Sequence, residues 1–427
     1  MPVIYSFTDQ ALAVGGGFLV NIALARAQTK EEYGLFTLSY SVYALLLALY
    51  SATILEPYMI YGSGRYRERF AEYLRLMIWS NVVLGLSLTA VLLLICWLLS
   101  LLAPQFASRA LWGLALTAGV ILSGHLLRRA FYLQRQAALA AKTSLIFFIT
   151  VACGLWLAAK SNRLDSFSVF VILAAGWITA GATFGRKLAF GKPEQAFLHI
   201  KPDYWREHWN YTKWVLATAI VFQFTTQAYY WLAAGFLSAK EAGELRAMYV
   251  LVSPMDQMFI ALSFLVIPAL SARHAAKDIG RFLYIWKRYV WVTLGVTATF
   301  ALAVRLMGGR VLHVIYAGKY DDLVPYLFVL ALLPVLTGIG SAINNAVIAT
   351  EKPKLVFVAY VCSGAATFLG GILLVMHFGL RGCVYGMLLS AATFTSALAL
   401  TFFILVRRQI AASQAIGSAP TTDEKIA

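Results

Sequence analysis

Long apolar runs alternate with short polar connections along the whole chain, each run roughly 18 to 28 residues. Each is long enough to cross a hydrocarbon core of about 30 Å as a helix, in which every backbone polar group bonds internally. The pattern predicts spans near residues 5–26, 35–62, 76–102, 109–128, 143–160 and 166–185. Six more are predicted near 211–237, 246–271, 286–308, 322–349, 354–377 and 380–407. The fold class expected is an all-α integral membrane protein of about twelve helices. The longest interior polar stretch, residues 186–210, reads as a linker between a six-helix half at 1–185 and another at 211–408. Residues 409–427 are small and polar and read as a disordered tail.

Composition supports this class. Apolar residues make up 61% and charged residues 13%, where a soluble domain would carry about 25% charge. The net charge of +16 fits loops on one side of a membrane better than a nucleic-acid footprint, because no run of five to eight consecutive basic residues occurs. With the N-terminus placed inside, the inner connections hold about 24 of the 35 Lys and Arg and the outer ones about 11. That asymmetry orients both termini to the cytoplasm. Cys96, Cys153, Cys362 and Cys383 lie in or beside apolar runs with no CxxC pair, and read as packing residues. No basic n-region precedes the first run, so it reads as a span and not a cleavable signal.

The two halves share a turn. "ARAQTKEEYGLFTLSY" at Ala25–Tyr40 is echoed by "AGFLSAKEAGELRAMYV", with Lys30-Glu31 matching Lys240-Glu241 at an offset of 210. Pro57 and Pro268 follow at an offset of 211. An even number of spans per half makes such a repeat parallel, about an axis along the membrane normal.

The segment "FTDQALAVGGGFLVNIALARAQTKEEYGLFTLSYSV" resembles the first hairpin of bacterial polysaccharide-biosynthesis membrane proteins, the Wzx/PST-type flippases of the MOP superfamily, which share the MATE fold. "LRRAFYLQRQ", "VIPALSAR", "YAGKYDDLVPYLFVLALLPVLTGIGSAINNAVIATEKPK" and "HFGLRGCVYGMLLSA" follow in the same style, so the resemblance covers most of the chain. It implies two six-helix lobes around a cavity that opens to one leaflet at a time. The implied substrate is an oligosaccharide on a polyprenyl pyrophosphate, passed outward across the bacterial inner membrane. Cationic cavity residues for the pyrophosphate, a proton or sodium gradient as the drive, and polymerase or assembly proteins as partners are implied likewise. No cofactor is expected.

Polar groups inside spans are costly and default to functional candidates. For ion coupling these are Asp256 beside Pro254 in span eight, Glu56 beside Pro57 in span two, and Asp9 in span one; they read alternatively as a packing carboxyl, an interfacial anchor and a helix-terminus carboxyl in that order. Gln223, Thr226, Gln227 and Tyr230 recur at i, i+3, i+4 and i+7 on span seven, a neutral stripe suited to sugar hydroxyls or to interhelical hydrogen bonds. Gln10, Gly17 and Asn21 form a similar stripe on span one, and Ser341, Asn344 and Asn345 lie on span ten. Arg26 ends span one, where its guanidinium suits either a pyrophosphate or lipid headgroups. Arg128 and Arg129 fit positive-inside placement, and His125 reads as a packed histidine.

Enzyme readings are weaker. No phosphate-cradling glycine loop and no metal-spaced His/Cys/Asp cluster occurs, and "GGG" at Gly15–Gly17 lies within a span. Lipid-linked-sugar polymerases and ligases resemble sequences with a large basic outer loop, which is missing here. A MATE-type drug exporter and a non-catalytic scaffold of a polysaccharide-assembly complex are the alternatives. The charge asymmetry yields a direct expectation. Single cysteines near Gly64, Gln195 and Asp278 stay unlabelled by impermeant thiol reagents in intact cells, whereas those near Gln105, Asn162 and Gly318 label. The opposite pattern overturns the orientation.

Overall fold

A computed structural model describes residues 2–63, 66, 68–102, 108–188, 203–350 and 352–417. Sixteen α-helices appear among them, and no strand. In order they are α1 (Pro2–Ala27), α2 (Lys30–Tyr50), α3 (Glu56–Ser63), α4 (Phe70–Leu102), α5 (Arg109–Leu133), α6 (Ala137–Lys160), α7 (Ser166–Phe184) and α8 (Asp203–Phe236). There follow α9 (Ala239–Val252), α10 (Pro254–Ala275), α11 (Ile279–Tyr316), α12 (Val324–Leu330), α13 (Leu333–Ala349), α14 (Pro353–Ala366), α15 (Ile372–Phe378) and α16 (Leu380–Gly417).

Among the described residues, eleven helical stretches are long and apolar enough to cross a membrane. They correspond to all the expected spans except the seventh. That one is present as α8, the helix that carries the polar stripe. Near residues 186–210, α8 begins at Asp203 and residues 189–202 lie outside the described part. At the other end α16 continues to Gly417, past the expected start of a disordered tail, and residues 418–427 are not described.

Local chemistry explains the boundaries. Thr29 caps α2 by accepting from the Glu32 amide at 3.1 Å, and Glu31 and Glu32 lie in the first turn, where the helix dipole favours negative charge. Asp165 and Ser168 form a reciprocal capping box on α7. Between α2 and α3 the chain widens into a π turn at Ser51–Leu55 just before Pro57, which cannot donate to the helical ladder. Tyr73 donates to the Pro57 carbonyl at 3.2 Å and also lies 3.2 Å from His208 Nε2.

Residues Met1–Val250 with Leu312–Asp321 form one compact unit, and Leu251–Val311 with the chain from Asp322 onward form a second. In the first, α1 packs on α6, α5 lies between α4 and α7, and α8 runs along α2. Tyr50, Asn81 and Ser123 link α2, α4 and α5 through bonds of 2.7 and 2.8 Å. Such interhelical bonds contribute roughly 0.6–2 kcal/mol each in a bilayer. In the second unit α13, α14 and α15 pack on α16, around Leu270, Ile343, Val347, Leu398 and Phe402. There Asn345 donates to Ser263 at 2.8 Å and to Tyr289 at 3.4 Å, joining α10, α11 and α13.

The outer faces of both units are apolar. Leu102, Phe264, Trp291, Leu306 and Leu369 are each at least 70% exposed. Water cannot cover such a surface cheaply and lipid can, so burial within the protein and burial in lipid together account for the composition. Cys96 and Cys383 are buried, Cys153 and Cys362 exposed, and all four are free thiols.

Candidate functional site

The first unit contains a guanidinium set among rings. Helix α9 starts at Ala239, so Arg246 lies two turns into it. Its guanidinium carbon is 4.6 Å from the Tyr40 ring centroid and 5.8 Å from that of Tyr230. Its Nε donates to Asn21 Oδ1 at 3.1 Å. Asn21 is buried and doubly fixed, since Tyr33 donates to the same oxygen at 3.1 Å and Asn21 Nδ2 donates to the Gly17 carbonyl at 2.8 Å. Among the described residues, no carboxylate forms an ion pair with Arg246.

That arrangement leaves charge uncompensated. Cation–π contacts contribute roughly 0.5–2 kcal/mol each, far less than the cost of removing a bare cation from water. A guanidinium has five N–H donors, and the Asn21 amide oxygen takes only one of them. What remains suits an oxyanion able to accept a planar fork, such as a phosphate.

Two residues nearer the start of α9 the charges are matched. Lys30 Nζ is 2.8 Å from Glu244 Oε1, both largely buried, and lies 5.1 Å from the Tyr320 ring centroid. Lys319 donates to the Ala25 carbonyl at 3.0 Å, and Tyr316 donates to the Ala247 carbonyl at 3.0 Å.

The three candidate acids occupy different settings. Asp9 is 1% exposed and receives both Arg128 Nε at 3.0 Å and Nη2 at 2.6 Å. Tyr132 and Ser144 donate to it at 2.7 and 2.5 Å, so it ties α1 to α5 and α6. Gln10 joins this group as an acceptor from Arg128 at 3.3 Å, away from the Asn21 cluster. Glu56 is exposed at the start of α3, within electrostatic range of Arg129. Asp256 is half-buried in the first turn of α10, directly after the helix breaks at Ser253 ahead of Pro254. Span eight, expected as one stretch over 246–271, is thus divided into α9 and α10 at Ser253.

The stripe on α8 divides as well. Tyr230 joins Arg246, whereas Thr226 turns back on Gln223, at 3.3 Å from its carbonyl and 3.4 Å from its side-chain oxygen. Gln227 Oε1 is buried with no hydrogen-bond partner among the described residues. Arg26 is exposed at the end of α1, outside the Arg246 cluster. His125 packs on Trp177 and lies 3.2 Å from the Tyr43 hydroxyl. No group of three His, Cys, Asp or Glu among the described residues could hold a metal ion.

Sequence reasoning overlooked Arg246, Tyr33 and Tyr40. Beginning span eight at residue 246 placed Arg246 at the membrane edge, where an arginine reads as a headgroup anchor. The repeat itself held the missing signal: α2 begins at Lys30, and the matching Lys240 would have begun α9 one turn and more before Arg246.

The Asp9–Arg128 pair leads to a stability test. Arg128→Leu leaves Asp9 buried and uncompensated, costing about 3–5 kcal/mol, and lowers the unfolding temperature in detergent. Asp9→Asn combined with Arg128→Leu restores most of it. A double variant no more stable than Arg128→Leu contradicts a mutual role for the pair.

No protein-family model matches the sequence, and no curated protein matches it. Solved structures do match in fold. An inward-facing multidrug resistance MATE family transporter of the MOP superfamily superposes with a TM-score of 0.78 at 12% identity, over 95% of this chain and 98% of the other. The lipid II flippase MurJ, in an inward closed conformation, gives 0.70 at 13% identity, over 99% and 94%. An outward-facing multidrug resistance MATE family transporter gives 0.64 at 11%, over 96% of each chain. The chain therefore has a MATE-like helical membrane fold.

Proposed function

We propose that this protein is a flippase that carries a polyprenyl-pyrophosphate-linked oligosaccharide across the bacterial inner membrane, for O-antigen, capsule or exopolysaccharide synthesis. Both termini are cytoplasmic in this reading, and the repeat halves 1–185 and 211–408 act as the lobes of an alternating-access carrier. The observation that carries it is Arg246, a half-buried guanidinium on tyrosine rings with no carboxylate paired to it among the described residues. A pyrophosphate supplies the missing negative charge. A cationic drug is repelled there.

The neutral groups of Gln223 and Gln227 on α8 suit sugar hydroxyls, which need both donors and acceptors. Arg26, exposed at the end of α1, is placed to meet the pyrophosphate as it leaves. Asp256, beside a helix break, and Glu56, beside a π turn, are the carboxyls assigned to ion coupling in this reading. Asp9 is committed to Arg128 and serves less readily. The fold is shared with a drug transporter and with a lipid II flippase, so the fold leaves the cargo open; an Arg246 with no carboxylate paired to it among the described residues favours the anionic cargo. A scaffold with no cargo has no use for an uncompensated intramembrane charge.

Arg246→Gln tests this. Hydrogen bonds to a charged group contribute about 1.5–3 kcal/mol, so export of lipid-linked glycan should fall roughly 10- to 150-fold. Lipid-linked glycan then accumulates on the cytoplasmic leaflet at normal protein levels. Arg246→Lys, which keeps the charge but not the fork, falls in between. Normal glycan export by Arg246→Gln, with lost tolerance to cationic drugs, replaces this reading with drug efflux.

A further inference from the structure

The two repeated turns meet. Gly34 in the first faces Ala239 in the second so closely that a Cβ on Gly34 would lie 1.7 Å from the Ala239 carbonyl oxygen. A Cβ on Gly243 would lie 2.7 Å from the Lys30 carbonyl oxygen and 2.8 Å from the Gly34 nitrogen. Residues 29–34 and 239–244 thus touch backbone to backbone, and the Lys30–Glu244 ion pair bridges them. Two helix N-termini come together here, α2 at Lys30 and α9 at Ala239. Their like dipole ends repel, and Glu31, Glu32, Glu241 and Glu244 offset that repulsion.

The Arg246 seat is built from the same two hairpins. Asn21, Tyr33 and Tyr40 come from α1 and α2, while Tyr230 and Arg246 come from α8 and α9. Tyr33 is adjacent to Gly34, and Arg246 is one turn from Gly243. Separating the turns pulls Arg246 from Asn21 and the Tyr40 ring.

We infer that the seal and the seat are one device: the anion site is complete only while the two turns touch, and parting them dismantles the site. This rests on the transport reading above. In that reading the turns close the outer side, so the pyrophosphate is held while the outer path is shut and let go as it opens. Glycine faces can part without unthreading side chains, which suits a contact that must be made and broken. Linkage requires reciprocity, so an anion on Arg246 must also favour the closed turns.

The test uses the full chain with its four cysteines replaced by alanine and a thiol introduced as Leu24→Cys, at a position that is fully buried beside the turn. Gly34→Ala forces the turns apart because its new methyl meets backbone. Gly235→Ala is the matched control, since a Cβ there meets nothing within 4 Å. With Gly34→Ala, the labelling rate by an impermeant thiol reagent should rise at least tenfold and the Kd for inorganic pyrophosphate at least fivefold. Gly235→Ala should change neither, and pyrophosphate should slow labelling of the parent. If pyrophosphate binds the parent and Gly34→Ala leaves its Kd unchanged, the coupling is wrong while the transport reading stands. If labelling does not rise with Gly34→Ala, the turns are not a seal. If pyrophosphate fails to bind the parent at all, the anion site falls first and the coupling with it.

Discussion

A charge inside an apolar bundle has to be answered by something, and among the described residues Arg246 is answered by two tyrosine rings and one amide oxygen. Elsewhere in the first unit the same problem is solved within the protein. Arg128 is held by Asp9 and Lys30 by Glu244, each at hydrogen-bonding distance. The chain pairs these two buried cations with carboxylates yet leaves a third on tyrosine rings, and the proposed anionic cargo rests on that difference. The orientation of Asn21 follows from this, because Tyr33 and Arg246 both donate to one of its oxygens and fix which end of the amide faces them.

Much of the architecture was legible in the sequence. Apolar run length identifies the spans because lipid demands internally bonded helices of nearly fixed length. Span seven shows where that signal weakens: the polar positions that make α8 interesting also keep it below the hydropathy of its neighbours. The repeated turn was visible as Lys-Glu pairs, and its capping chemistry at Thr29 is local. That the two turns touch each other was not visible, since a backbone approach at Gly34 and Gly243 leaves no trace but two glycines.

The site was legible only in part, for a physical reason. Helical periodicity reveals which residues share a face and not what lies opposite. The stripe on α8 therefore contained Tyr230 correctly as a polar position while concealing that Tyr230 meets Arg246 and Thr226 bonds back to Gln223. Asp9 looked like a shallow helix-terminus carboxylate until α5 and α6 supplied Arg128, Tyr132 and Ser144. Asp256 and Pro254 were read from local chemistry, and the break at Ser253 is a local event.

The central claim is that this protein moves an anionic lipid-linked glycan and leaves it chemically unchanged. Leaflet translocation by purified protein in liposomes measures that directly, with a fluorescent polyprenyl-pyrophosphate oligosaccharide on one side and a membrane-impermeant quencher on the other. The account predicts that the protein speeds the crossing of this lipid well above protein-free liposomes and leaves a cationic dye where it started. Accelerated movement of the dye, with the glycan lipid crossing no faster than in empty liposomes, would contradict it.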